Sequence, residues 1–166
     1  MVASRSALDL SMVPSETGNA GAWPLAAPLL ILLACWLVPT CPWLIGQVTI
    51  PWDAKSQFYP QAVLLSRALH AGELPLWNPW LFGGSPQVAD PQSLLTSPPF
   101  LLLAALVPEP SFQLFDATAL ATVFLGAVAV LLFARDQGWH PAAGIVGGLV
   151  FAFGGSAYWR IQHVGE

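Results

Sequence analysis

Three apolar runs separated by polar stretches dominate the chain, and their lengths set the first expectation. Thr17 to Trp52 carries no charge. Its apolar centre, Trp23 to Gly46, exceeds the roughly 20 residues a helix needs to cross the hydrocarbon core of a bilayer. Phe112 to Ala134 is a second such run, stopped by Arg135-Asp136, and Pro141 to Trp159 is a third. These runs predict transmembrane helices near 24–46, 112–134 and 142–159. Trp23, Trp43 and Trp52 fall where interfacial aromatics sit. The first helix is expected to bend or fray near Pro39 and Pro42. A short link around Gln137 to His140 makes the second and third helices an antiparallel hairpin. Gly144-Ile145-Val146-Gly147-Gly148 holds a Gly-xxx-Gly spacing, which speaks of close helix packing and not of chemistry.

Between the first two spans the pattern changes. Residues 47–96 form a loop with few charges and many Trp and Pro. Val63, Leu64, Ala68 and Leu69 fall near helical spacing, and Gly72 suits a left-handed helix cap. This predicts a short amphipathic helix near 58–71 lying along the membrane face. Pro75, Asn78-Pro79, Gly83-Gly84 and Ser85-Pro86 then mark turns. Residues 97–108 are apolar but split by Pro98-Pro99. They are too short to span and read as a half-buried or re-entrant element. Residues 1–22 read as a disordered N-terminal tail.

Composition supports this picture. The hydrophobic fraction is 55% and the charged fraction only 8%, against about a quarter charged in soluble domains. The expected class is therefore an all-α integral membrane protein of about three transmembrane helices with one large loop. The net charge of −4 argues against nucleic acid, which needs clustered Lys and Arg. Cys35 and Cys41 make no disulfide framework and no metal spacing. Leu32-Leu33-Ala34-Cys35 is like a lipoprotein cleavage box, but the apolar run continues past it. The basic residues fall on both sides of the predicted spans, so charge does not set orientation.

Chemistry needs ionisable groups that a substrate can reach, and here they gather at the ends of the apolar runs. Asp53 follows the first span directly. It suits a general base or a metal ligand facing a lipid-borne substrate, or equally an N-cap for the next helix. Asp90 before Pro91 has the ordinary look of a helix start, with catalysis as the other reading. Asp116 lies one turn inside the second span, where an acid serves the helix N-terminus or a function. Lys55, Arg67, His70, Arg160 and His163 are candidates for holding a phosphate. Arg160 and His163 share a face on a continuing helix, although Tyr158-Trp159-Arg160 is also a common interfacial anchor. Trp77 and Trp80 suit stacking on a sugar ring or a place in the headgroup layer.

Several strings together resemble the YfhO-like bacterial membrane proteins. They are Asp53 with Phe58-Tyr59-Pro60, and His70-Ala71-Gly72-Glu73-Leu74-Pro75-Leu76-Trp77-Asn78-Pro79. Gly83-Gly84-Ser85-Pro86, Ala89-Asp90-Pro91-Gln92 and Phe151-Ala152-Phe153-Gly154-Gly155-Ser156 with Arg160 and His163 complete the set. The resemblance covers about residues 24–166. That family is related to the GT-C glycosyltransferases, multi-span enzymes that take a sugar from a polyprenyl phosphate carrier on the outer face of the membrane.

The resemblance implies a reaction class. Asp53 is then the catalytic base of an inverting displacement, with Asp90 as the second catalytic candidate. Lys55, Tyr59, Arg67, His70, Trp77, Asn78, Arg160 and His163 become the substrate-binding set. The partners implied are a polyprenyl phosphate-linked sugar donor and membrane lipid. No cofactor is implied, and without an Asp-x-Asp or Glu-x-Asp pair a divalent metal is unsupported. The family's chains are several times longer. The resemblance therefore also implies an N-terminal part of a longer protein, inactive alone and partnered by its C-terminal remainder. It places the chain in the bacterial cytoplasmic membrane as a multi-pass protein, with loop 47–96 and the C-terminus outside and Arg135 to His140 inside. The competing classes are a transporter or channel module and a non-catalytic membrane scaffold. Transporters usually place ionisable groups at mid-membrane, whereas the acids here lie at the edges.

Overall fold

The structure, a computed structural model, describes residues 23–90 and 92–163, without the side chains of Tyr158 and Arg160. The expected tail 1–22 lies outside the described residues. Three helices form one layer: α1 (Ala26–Leu44), α4 (Phe112–Asp136) and α5 (Pro141–Phe153). Between α1 and α4 run a π-helical turn (Ala54–Phe58), α2 (Tyr59–His70), strands β1 (Trp77–Asn78) and β2 (Ser85–Pro86), a 3₁₀ turn (Leu94–Thr96) and α3 (Pro98–Leu106). A short α6 (Gly155–Arg160) ends the described chain.

Two helices, α1 with 19 residues and α4 with 25, are long and apolar enough to cross a membrane by length and composition. α1 runs through Pro39 and Pro42 without ending. The Thr40 hydroxyl donates to the Trp36 carbonyl at 2.7 Å, within the stretch where two ladder donors are missing. Ser111 caps α4 by accepting the Leu114 N–H. His140 caps α5 through Nδ1, which accepts the Ala142 N–H, with Pro141 in the first turn.

The third expected span, 142–159, is interrupted. Gly154 is extended (ψ 153°) and ends α5 after 13 residues, and α6 starts beyond it. Thirteen residues rise about 20 Å, less than the roughly 30 Å hydrocarbon thickness.

Trp23 Nε1 donates to the Trp139 carbonyl at 2.9 Å, which joins the start of α1 to the α4–α5 turn. Gln113 Nε2 donates to the Leu44 carbonyl, joining the end of α1 to the start of α4. The loop and the end of α5 therefore share one end of the bundle, opposite Arg135 to His140. Leu32, Trp36, Leu120, Ala127, Leu131 and Ala152 form the bundle's core. Leu30, Ile31, Val38, Leu125, Val146 and Val150 point outward and are exposed.

Gly148 lets α5 come close to the α4 backbone and to α1. A Cβ there would lie 3.0 Å from the Ala127 carbonyl oxygen and 3.2 Å from Leu32 Cδ1. Gly148→Leu is expected to force the helices apart and to destabilise the protein by about 1–3 kcal/mol. A lower melting temperature in detergent would show it. Gly155→Ala, with open space around the glycine, should melt like wild type.

The loop has its own core. Ile50, Ala54, Phe58, Ala62 and Leu65 are buried at near-helical spacing against Leu94, Phe100, Leu103, Ala104, Phe115 and Ala119. This corrects the apolar face expected of α2, which was Val63, Leu64, Ala68 and Leu69. Its buried face is Gln61, Ala62, Leu65 and Ser66, and α3 with the first turns of α4 covers it. The all-α expectation is corrected at one place in the loop. Trp77 pairs with Pro86 and Asn78 with Ser85 in a two-residue antiparallel ribbon. The segment 97–108 folds as the nine-residue α3; Phe100, Leu103 and Ala104 are its buried positions, facing the loop core.

Candidate functional site

Asp53 sits at the junction of the bundle and the loop. The preceding Trp52 has φ +60°. For a large side chain this left-handed conformation costs about 1–3 kcal/mol, and such strain gathers at functional sites. The π-helical turn that follows is also a form often found at such sites. Asp53 makes no side-chain cap to that turn, so the capping reading does not hold. Its Oδ2 instead lies 3.2 Å from His163 Nε2. His163 is held in turn by a 3.4 Å contact from Nδ1 to the Trp159 carbonyl oxygen. The two side chains are 48% and 25% exposed. Substrate and water can therefore reach the pair.

Next to the pair opens a cleft of about 400 Å³. Trp36, Trp43, Trp52, Val123, Phe153 and Trp159 are among its lining residues, with Thr40 and Gln162 the polar ones. Trp52 and Gln162 are the chain neighbours of Asp53 and His163. The Asp53–His163 pair thus stands at the rim of an apolar slot, the form needed to keep a hydrocarbon chain next to a polar centre.

The pair depends on a buried anchor. Asp116 is 1% exposed, and its Oδ2 accepts the N–H of the buried Ile50 at 2.9 Å. That bond ties the chain three residues before Asp53 to the second turn of α4. An acid in an apolar helix was a visible signal. Its partner, 66 residues away, had none.

Other expected site residues are engaged elsewhere. The Tyr59 hydroxyl donates to the Pro110 carbonyl at 3.0 Å, and its ring stacks on Phe112 at 3.9 Å. Tyr59 therefore locks α2 to the start of α4 and is not a free binding group. Lys55 lies 5.8 Å over the Phe112 ring. Arg67 pairs with Glu109 at 2.9 Å on the surface, a bond worth about 0–1 kcal/mol, so its charge is already compensated. His70 Nδ1 bonds the Ser66 carbonyl oxygen within its own helix. Asn78 is buried and accepts the Trp80 N–H at 3.0 Å, closing a turn.

Trp77 packs against Gly84, where a Cβ would come within 2.5 Å of the indole and where φ is +124°. It serves the ribbon more than a ligand. Asp90 is not the cap of a helix. Its Oδ1 accepts the Gln92 N–H at 2.9 Å in a turn. It lies on a separate groove with Gln57 and Trp80. The Arg160 side chain lies outside the described atoms. The structure thus joins Asp53 to His163 and gives the other described candidates different partners. Among the described residues, no group of three or more His, Cys, Asp or Glu side chains could hold a metal ion.

No protein-family model, no curated protein and no solved structure matches the chain.

Proposed function

We propose that the protein transfers a sugar from a polyprenyl phosphate donor to an acceptor outside the cytoplasm, with Asp53 as general base. The observation that carries this reading is the Asp53–His163 pair at the rim of a Trp-lined apolar cleft. The carboxylate has no capping duty, it is accessible, and a slot for a lipid chain opens next to it. In the reaction, the acceptor oxygen attacks the anomeric carbon and gives its proton to Asp53. The bond from that carbon to the phosphate oxygen breaks, and its electron pair leaves with the phosphate. His163 donates to Oδ2 and so aims the carboxylate. The transporter reading gains less support, because the accessible ion pair lies at the end of the bundle and not at its middle.

The direct test is sugar release from a polyprenyl phosphate sugar and its appearance on an acceptor, using the intact purified protein. A protein that binds the donor and never turns it over would overturn the enzyme reading.

The same proposal places the chain in the cytoplasmic membrane of a bacterium, multi-pass, with the loop outward. A cysteine at the exposed Glu73, in a chain with Cys35 and Cys41 replaced by Ser, is expected to react with a membrane-impermeant maleimide on intact cells. A cysteine at the exposed Trp139 should react only after permeabilisation. The opposite pattern would reverse the orientation.

A further inference from the structure

A concavity larger than the Asp53 cleft lies elsewhere on the described chain. It is a groove of about 1200 Å³ between α2 and the segment that carries the β1–β2 ribbon, and neither Asp53 nor His163 lines it. Sites for single small ligands usually measure about 300–1,000 Å³, so this one suits something longer than one compact molecule. One wall is the α2 side, with Gln57, Gln61 and Leu64. The other carries Trp80, Ser85 and Asp90.

The lining selects the chemistry. Gln57 Nε2 donates to Gln92 Oε1 at 2.8 Å, so two amides bridge the groove between its walls. Asp90 contributes a carboxylate with one oxygen held by the Gln92 N–H. Gln61 is 6% exposed, and its Oε1 has no hydrogen-bond partner, nor has the Ser85 Oγ. Both atoms lie inside the walls. The terminal torsion of Gln is broad and turns at little cost, which brings one end of the Gln61 amide to the groove. A hydroxyl both donates and accepts, so it satisfies that amide in either orientation. A phosphate oxygen only accepts.

Charge points the same way. Arg67 is the one cation among the lining residues, and Glu109 already neutralises it. With Asp90 also in the lining, the groove offers an anion no unpaired cation. Trp80 stands at the edge with 86% of its surface exposed, a flat apolar face for the C–H side of a sugar ring. A wall of amides, a carboxylate and an open indole is a combination that takes neutral polyhydroxylated chains.

We infer that the groove between α2 and the β1–β2 segment is a binding site for a neutral oligosaccharide, distinct from the Asp53–His163 cleft. The inference rests on the groove's own lining and holds whether or not Asp53 is a base. The test is an array of neutral and phosphorylated oligosaccharides probed with the intact protein in detergent, followed by titration of the best neutral binder. Trp80→Ala should weaken that binding by about tenfold or more, and Trp80→Phe, which keeps an aromatic face, should restore most of it. Asp53→Asn should bind like wild type, which separates this site from the transfer chemistry. Inorganic phosphate should not compete. No neutral oligosaccharide bound, undiminished binding by Trp80→Ala, or displacement by phosphate would each overturn the assignment. Trp80 is a surface side chain, so its loss leaves the fold intact and the result readable.

Discussion

Asp53→Asn is expected to abolish most sugar transfer while the protein still inserts, folds and expresses. The substitution keeps the size of the side chain. Its amide oxygen can still accept from His163 Nε2, now 3.2 Å from Asp53 Oδ2, so the pair keeps its geometry. What it removes is the charge that, in the proposed reaction, takes up the acceptor proton. Positioned general bases contribute about 10²–10⁴ in rate, and a loss of that size is expected in turnover, with donor binding little changed. Asp53 does not cap the π-helical turn, so no loss of stability accompanies it. Asp90→Asn is the control. Asn can still accept the Gln92 N–H that Asp90 accepts at 2.9 Å, and transfer should remain. Near-full transfer by Asp53→Asn together with loss in Asp90→Asn would move the base to the second acid.

Asp116→Leu is expected to have the largest effect on stability. Leu has the branching of Asp and suits an apolar helix, so composition alone would predict a harmless change. In the fold, Asp116 is the hydrogen-bond acceptor for the Ile50 N–H at 2.9 Å, and Ile50 is itself 1% exposed. Removing the acceptor strands a buried donor, which costs about 1–3 kcal/mol. The chain at 50 also leads into Trp52 and Asp53. Turnover should therefore fall with stability, through misplacement of the base. Asp116→Asn retains an acceptor oxygen and should recover most of both. Thermal unfolding in detergent with a parallel transfer assay checks this. Equal stability of Asp116→Leu and wild type would show that the Ile50 bond carries little.

How far these features could be read in advance varies from residue to residue. Asp53 and His163 were both visible as polar groups at the ends of apolar runs. Their pairing was not, because nothing local links positions 110 residues apart. Of the Asp53 alternatives, base or cap, the fold bears on the second alone: the carboxylate makes no side-chain cap to the turn that follows. Tyr59 and Lys55 sat in the most distinctive string of the chain, yet the start of α4 takes up both through Phe112 and Pro110. The two-residue ribbon at Trp77 and Ser85 was legible only as turns, since strands of that length carry no period. Gln61 gave a weak hint, a polar residue among apolar neighbours on α2.

What the chain determined by itself came from local and additive quantities. The length and polarity of each run made α1 and α4 long and apolar enough to span, whatever they pack against. Pro141 and the glycines near 154 marked where α5 begins and breaks. Gly144 and Gly148 marked the face on which helices approach. The tertiary structure decided the rest: which face of α2 is buried, that Asp116 anchors Ile50, that Asp53 meets His163 and that Arg67 is spent on Glu109. Each of those outcomes is a contact between distant segments. Hydrogen bonds and ion pairs depend on angles and distances of a few ångströms, which no run length or spacing encodes until the chain has folded.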